Sequence, residues 1–374
     1  MFQFKSLFWS KETKMAVQRL NEFKELNAEW ISRRERIYNS FSMSDIKRNI
    51  REFKCCAECG DLTKILLNID SVLNKTEYYC RPMFNGLIFR ARIGEYDNVK
   101  SLWYPPSQLI DTFGRCNFPK ESVFYGGFAP ETAIYEVERF AEIHSQEPYC
   151  KLATVIALQP KPRVTIEMMM VGFEYEEEYI HKIPRHTVVN VELLPEIYRV
   201  VMMNYLDAKL TMSNKTFKKW RLLNGFIAEM FSSVNENKYS YLISSSISKK
   251  LFDVLKPDAI VYPSVINKNG AVNIAIKPDV IDRCFDVNNV MLYHLISHNG
   301  ADELIFPSKI AEKINDDGSY EWRTVMFEDD EGRKIRDAIV KLPKAQQEGF
   351  DHFLDAFNNP NNAKILFSHP DSPN

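Results

Sequence analysis

Apolar residues at three- and four-residue steps open the chain. Ala16, Leu20, Phe23, Leu26 and Trp30 recur with charges between them and predict an amphipathic helix over 11–39. Ser44 is placed to cap a second helix carrying Ile46, Ile50 and Phe53. Leu62, Ile65, Leu66, Ile69, Val72 and Leu73 set out a third. Residues 1–83 therefore read as a helical lobe, equally compatible with a partner-binding or dimerisation element and with plain packing.

The pattern changes at Leu87. Leu87–Ile93 has strand composition, and Ser122–Gly126 reads as a short strand ended by Gly126-Gly127. Pro130 suits the first turn of a helix and Glu131 its positive end; that helix runs to about Ser145 with Ala133, Val137, Phe140 and Ala141 inward. Leu152–Leu158 is a buried-type strand. Residues 163–201 alternate strand-like runs with acidic stretches, of which Glu174–Glu178 reads as solvated surface. Helices are predicted over 216–232 and Ile247–Leu255, and Asp258–Val265 with Val272–Ile276 form a hairpin pair. From about 286 the chain mixes short strands with a charged helix near 331–341, ending in a frayed, proline-marked tail with Pro360, Pro370 and Pro373. No internal repeat interrupts this order.

Composition narrows the class. The 374 residues are 45% hydrophobic and 26% charged, which excludes wholesale disorder, a collagen-like fibre and a coiled-coil rod. Lys+Arg 48 against Asp+Glu 50 leaves a net charge of −2, with no basic excess to drive nucleic-acid binding. The most apolar runs fall short of the ~20 residues a bilayer span needs, and no secretory leader is evident at Met1–Trp9, so a cytosolic, membrane-free protein is expected. Seven cysteines, an odd number in a long chain, argue against a disulfide framework. Cys56 and Cys59 form a C-x-x-C and Cys80 is a third thiol for a structural zinc; the alternative is ordinary buried or surface thiols, since a second C-x-x-C and a nearby His are missing.

Candidate chemistry sits where polar residues interrupt apolar pattern. Ile88, Arg90 and Arg92 share one strand face, either a solvent face or the lining of an anionic-ligand cleft. Arg115 follows Gly114 in a loop, as a surface charge or a side chain presented to a ligand. Tyr125 stands beside two glycines, as a core tyrosine or at a site where a bound molecule comes close. Glu136 lies about 40° from Phe140 on the helical wheel, at the margin of the buried stripe. There it is a salt-bridge residue or a carboxylate that grips sugar hydroxyls and stabilises positive charge. Ser264 ends the strand Ala259–Pro263, as a turn serine or a ligand contact.

Taken in order, Arg90-Ala91-Arg92, Gly114-Arg115-Cys116-Asn117, Val123-Phe124-Tyr125, Glu131–Glu136, Ile260–Ser264 and Asn273–Ile276 resemble the RES domain family. Arg115, Tyr125 and Glu136 are spaced by 10 and 11 residues, as in that family. The resemblance covers roughly residues 85–282. It implies an α+β fold, an ADP-ribosyltransferase-like mixed β core with flanking helices preceded by an α-helical lobe. The implied domains are a lobe at 1–83, a RES domain at 84–285 with an insertion at about 163–240, and a mixed extension at 286–374. It further implies an NAD-consuming toxin acting in growth arrest or anti-phage defence, with an ADP-ribosyltransferase or a non-catalytic binding module as alternatives. A neutralising antitoxin or regulatory partner follows from that reading, and homo-oligomerisation is compatible with it.

On this reading NAD is substrate, and neither a cofactor nor a metal is needed. Nicotinamide leaves as a neutral base, so the site must stabilise an oxocarbenium-like centre and hold the ribose. Glu136 is expected to do so. Arg90 and Arg115 bind the pyrophosphate, Tyr125 packs on the nicotinamide ring, and Ser264 hydrogen-bonds the amide or ribose without acting as nucleophile.

Overall fold

The computed structural model describes residues 28–69, 80–82, 86–138, 149–172, 205, 208–209, 211–232, 241–264, 271–298, 302–325, 334–335, 339 and 344. The chain divides into two compact units: residues 1–79 with 170–250, and 80–169 with 251–374. The segment 163–240, expected as an insertion in the second domain, thus falls almost wholly with the N-terminal helices. The second unit begins at 80, beside the boundary expected at 83, and continues through 285.

The first unit is helical among its described residues. Helix α1 (Ala28–Asn39) is the end of the stretch predicted over 11–39; the remainder lies outside the described residues. Helix α2 (Met43–Glu58) is capped by Ser42 rather than the expected Ser44. Ser42 accepts from the Asp45 backbone N–H while Asp45 accepts from that of Ser42, a reciprocal cap that satisfies two orphan donors. Ser44 instead exchanges a 2.6 Å hydroxyl bond with Ser42. Helix α3 (Leu62–Asn68) follows, capped by Asp61; Val72 and Leu73 are outside the described residues.

Two ties fasten α1 to a later helix of the same unit, α5 (Asn214–Ser232). Glu35 of α1 accepts from Ser213 N at 2.6 Å and Thr216 Oγ1 at 2.6 Å, which sets its carboxylate at the positive, N-terminal end of α5. Lys219 of α5, only 2% exposed, donates at 2.6 Å to the carbonyls of Tyr38 and Phe41, at the C-terminal end of α1. Each helix therefore caps the other. Apolar packing of Trp220, Leu223, Phe226 and Phe231 fills the space beneath.

The second unit is built on a ten-stranded sheet in the order β1-β5-β6-β7-β3-β2-β4-β8-β9-β10. The strands are β1 (Cys80–Pro82), β2 (Ile88–Ile93), β3 (Phe124–Gly127), β4 (Tyr149–Pro160), β5 (Glu167–Met170), β6 (Ala259–Pro263), β7 (Val272–Ile276), β8 (Phe285–His298), β9 (Asp302–Ala311) and β10 (Arg323–Thr324). Only the last residue of β5 is counted with the first unit. The pairs β1/β5, β6/β7, β7/β3, β3/β2, β2/β4, β4/β8, β8/β9 and β9/β10 are antiparallel. The expected α+β class is therefore present, as is the predicted β6/β7 hairpin.

Helix α4 (Pro130–Glu138) crosses one sheet face. Its Ala133 and Ile134 join Ala91, Ala153, Val155, Tyr293 and Leu295 in one buried cluster, with Val137 at its edge. Residues 139–145 of the predicted helix, Phe140 and Ala141 among them, lie outside the described residues. Helix α6 (Leu242–Val254) starts well before the expected Ile247. Ser244, Ser245 and Ser246 are buried, and their hydroxyls donate back to the carbonyls of Tyr241 and Leu242, so serines that look like helix breakers are satisfied inside one.

The tail departs furthest from expectation. Where short strands were expected, β8 has 14 residues and pairs with β4 along that strand's whole length. Helix α7 (Pro278–Cys284), which the pattern does not announce, begins with proline in its first turn and leads directly into β8. Ile335 and Ile339, inside the expected charged helix, are buried against Ile296 and Phe306 of β8 and β9. The stretch Glu174–Glu178 and the end of the chain from 345 are outside the described residues.

Candidate functional site

Three segments far apart in the chain meet at Glu136. The residue follows Thr132 by one helical turn on α4, and Thr132 packs where Gly127 of β3 has no side chain. Gly127 pairs with Asn273 of β7, and Asn273 pairs on its other side with Tyr262 of β6. Glu136 thereby comes over the β3–β7–β6 strip. Its Oε1 accepts from Ser264 Oγ at 2.7 Å and from Asn273 Nδ2 at 2.6 Å. Both bonds fall on the same oxygen; among the described residues none falls on Oε2. The side chain is half-buried, at the margin of the stripe as the wheel predicts.

Tyr262, the register partner of Asn273, is 4% exposed. Burial holds its hydroxyl well above the ordinary phenol range; Cys116, Tyr125 and Glu136 push the same way, and Arg115 opposes them. Arg115, Tyr125 and Glu136 thus all act on the Tyr262 hydroxyl, which places them around one buried phenol.

Arg115 is carried by a tight turn. Gly114 N–H donates to the Asn117 carbonyl at 3.0 Å. A Cβ at Gly114 would lie 2.1 Å from Asn117 Oδ1 and 2.8 Å from the Tyr125 hydroxyl, so only glycine fits. The Tyr125 hydroxyl closes the turn: it donates to Asn117 Oδ1 at 2.8 Å and accepts from Cys116 N–H at 2.7 Å. Arg115 itself is buried, at 7% exposure. Arg115 is thus not a surface loop charge but a buried arginine on a cross-braced turn.

Arg90 and Arg92 do not line a common open face. Arg92 is exposed, bonds the Ser101 carbonyl and lies 5.0 Å over the Tyr96 ring. Arg90 is half-buried as a residue, but its guanidinium is enclosed: Nε donates to the Leu102 carbonyl at 3.0 Å and Nη1 to the Tyr125 carbonyl at 2.9 Å, 5.3 Å over the Phe124 ring. Burial first, then the charge of Arg92, pulls it down to about 10, which leaves it charged at neutral pH. Among the described residues no carboxylate lies within ion-pair distance of it.

The two glycines after Tyr125 serve the protein rather than a guest molecule. A Cβ on Gly126 would meet the Phe89 carbonyl at 2.7 Å, and one on Gly127 would meet Thr132 at 2.9 Å. Of the expected site, Arg115, Tyr125, Glu136 and Ser264 come together; Arg90 joins them through the backbone of Tyr125.

Asn273 and Tyr262 stood inside quoted motifs without a role. The available signal was an asparagine within the otherwise apolar run Val272–Ile276, every residue of which is buried.

The cysteines do not gather into a metal site among the described residues. Cys55, Cys56 and Cys59 are free thiols at the end of α2, while the Cys80 side chain is outside the described ones. Among the described residues no helix is long and apolar enough to cross a membrane. No family model matches the chain, and no curated protein matches it at a significant level.

Proposed function

We propose that the second unit cleaves the bond between nicotinamide and ribose in NAD. The electron pair of the breaking C–N bond goes to the pyridinium nitrogen, and nicotinamide leaves neutral. Water or inorganic phosphate then attacks the ribose carbon, giving ADP-ribose or its 1-phosphate, with the attacking group losing a proton to solvent. Rate comes from holding the ribose and stabilising the positive charge that develops on it.

The observation that carries this reading is an enclosed cation, Arg90, and a half-buried carboxylate, Glu136, held in the same fold. Arg90 has a charged guanidinium, shielded from water, with no carboxylate beside it among the described residues. Such a cation favours an anionic ligand, and a pyrophosphate matches its remaining donors. In the same unit, Glu136 is a carboxylate bonded, among the described residues, through one oxygen only. An anion at one end and a cationic centre at the other describe a dinucleotide such as NAD better than a simple phosphate ester. Arg115 adds a second cation for the pyrophosphate, and the ring of Tyr125, whose hydroxyl is occupied in the turn, supplies an apolar surface for nicotinamide. A neutralising protein partner belongs to the same proposal, because unchecked NAD loss arrests growth.

The test is turnover of NAD by the purified chain in phosphate-free and in phosphate buffer. Free nicotinamide should appear, and Glu136→Gln should reduce its rate at least ~100-fold with an unchanged melting temperature. NAD left intact by the wild type in both buffers, or full activity in Glu136→Gln, would remove the reading.

A further inference from the structure

Asn273 is the one polar residue of β7, and its position is hard to account for by folding alone. All five residues of the strand are buried, and Asn273 is 2% exposed. Its amide spends Nδ2 on Glu136 Oε1 at 2.6 Å. Its own Oδ1 is buried with no hydrogen-bond partner among the described residues. An interior strand position satisfied by valine or isoleucine on either side thus holds an amide with an unmet acceptor. Buried polar atoms are nearly always paired, and an exception calls for a specific cause.

The cause is at the other end of the amide. Glu136 arrives from a helix, and its long side chain has three rotatable bonds. Ser264 and Asn273 both donate to Oε1, from the end of β6 and the middle of β7. Two donors on one oxygen from two paired strands fix the plane of the carboxylate and mark Oε2 as the oxygen left for an incoming group. A serine hydroxyl alone rotates and can also accept. The Asn273 backbone is paired on both sides, to Gly127 and Tyr262, so the sheet fixes the point from which its amide reaches Glu136.

We propose that Asn273 is a positioning residue: its Nδ2 orients Glu136 so that Oε2 meets the ribose. This rests on the NAD-cleaving reading of the site, and it adds a residue to which no role has been given.

The test compares Asn273→Asp with Asn273→Ala. Aspartate keeps the shape of asparagine but replaces the N–H donor with a second carboxylate facing Glu136. Alanine only removes the donor. The proposal expects Asn273→Asp to lower kcat for NAD at least ~100-fold and Asn273→Ala ~10-fold, each with KM within about threefold of wild type. Aspartate also buries a like charge beside Glu136, so each loss is read against the variant's melting temperature. Losses that simply follow the melting temperatures, or an Asn273→Ala kcat equal to wild type, would overturn the proposal.

A second measurement works without turnover. In protein carrying 13C-labelled glutamate, the Glu136 carboxyl signal is identified by its loss in Glu136→Gln. Both Asn273 variants should displace that signal at neutral pH, and an unmoved signal would overturn the positioning role. If wild type leaves NAD intact while the signal moves, the activity fails and the positioning contact stands.

Discussion

Gly114 leaves no space for even a methyl group, and that single fact ties sequence to site. Its missing Cβ is the gap into which Asn117 and the Tyr125 hydroxyl close. Gly114→Ala should therefore open the turn that carries Arg115, destabilise the second unit by about 1–3 kcal/mol and depress NAD turnover together. Thermal melts beside activity assays check this; an alanine variant with both intact would show that the turn relaxes freely. At this scale much was legible in the sequence. Arg115, Tyr125, Glu136 and Ser264 each break a local apolar pattern, and they do converge. What stayed hidden were contacts across strand registers. Nothing along the chain shows that Asn273 faces Glu136, or that Gly126 and Gly127 make room for Phe89 and Thr132. Those depend on which strands become neighbours.

Elements whose bonds are local were read well, and elements defined by distant partners were not. The β6/β7 hairpin follows from two neighbouring apolar runs, and the start of α4 from Pro130 and Glu131 in its first turn. The early start of α6 is an exception, a local effect of serines that bond backwards within the helix, whereas the length of β8 follows from its pairing with β4, more than a hundred residues earlier. The same dependence makes two elements sensitive to acid. His294 of β8 stacks on Phe306 of β9, with ring centroids 5.4 Å apart. Burial first, then Lys309, pulls it down to about 4. The unfolded chain binds this proton near pH 6.5, so stability is present above that pH and falls on acidification toward 4. His294→Phe should flatten the pH dependence of the melting temperature between pH 4 and 7 (about the span between the two values); an unaltered slope would contradict the assignment.

Glu35 behaves similarly in the first unit. Burial alone would raise its carboxyl, but the bonds from Ser213, Thr216 and Asn39 outweigh this and hold it below the usual carboxylate range. Its contribution is present above the unfolded value of about 4.3 and is lost as pH falls through the lower folded one. The stability gap between wild type and Glu35→Gln should then be widest at neutral pH and close in acid. Unfolding curves at several pH values measure it, and a gap independent of pH would contradict the capping role.

As a whole molecule, the chain distributes its tasks between two units. The residue set argued to bind and cleave NAD lies entirely in residues 80–169 and 251–374, while the helices of 28–69 and 211–232 are tied to each other by Glu35 and Lys219. Lys219→Met should therefore destabilise the helical unit by about 1–3 kcal/mol, through loss of the two hydrogen bonds it donates to the Tyr38 and Phe41 carbonyls, and leave the proposed NAD site unaltered. A Lys219→Met protein with unchanged NAD turnover per folded molecule and a lowered melting temperature would bear this out; undiminished stability would contradict it. The near-neutral net charge fits a small anionic substrate gripped by a few placed arginines.

The most direct measurement is a proton NMR time course of NAD mixed with the purified chain, with Glu136→Gln as its control. The account predicts that free nicotinamide signals grow as the nicotinamide-riboside signals vanish, and that this stops in the variant. Unchanged NAD spectra with the wild-type chain, in the presence and absence of phosphate, would contradict it.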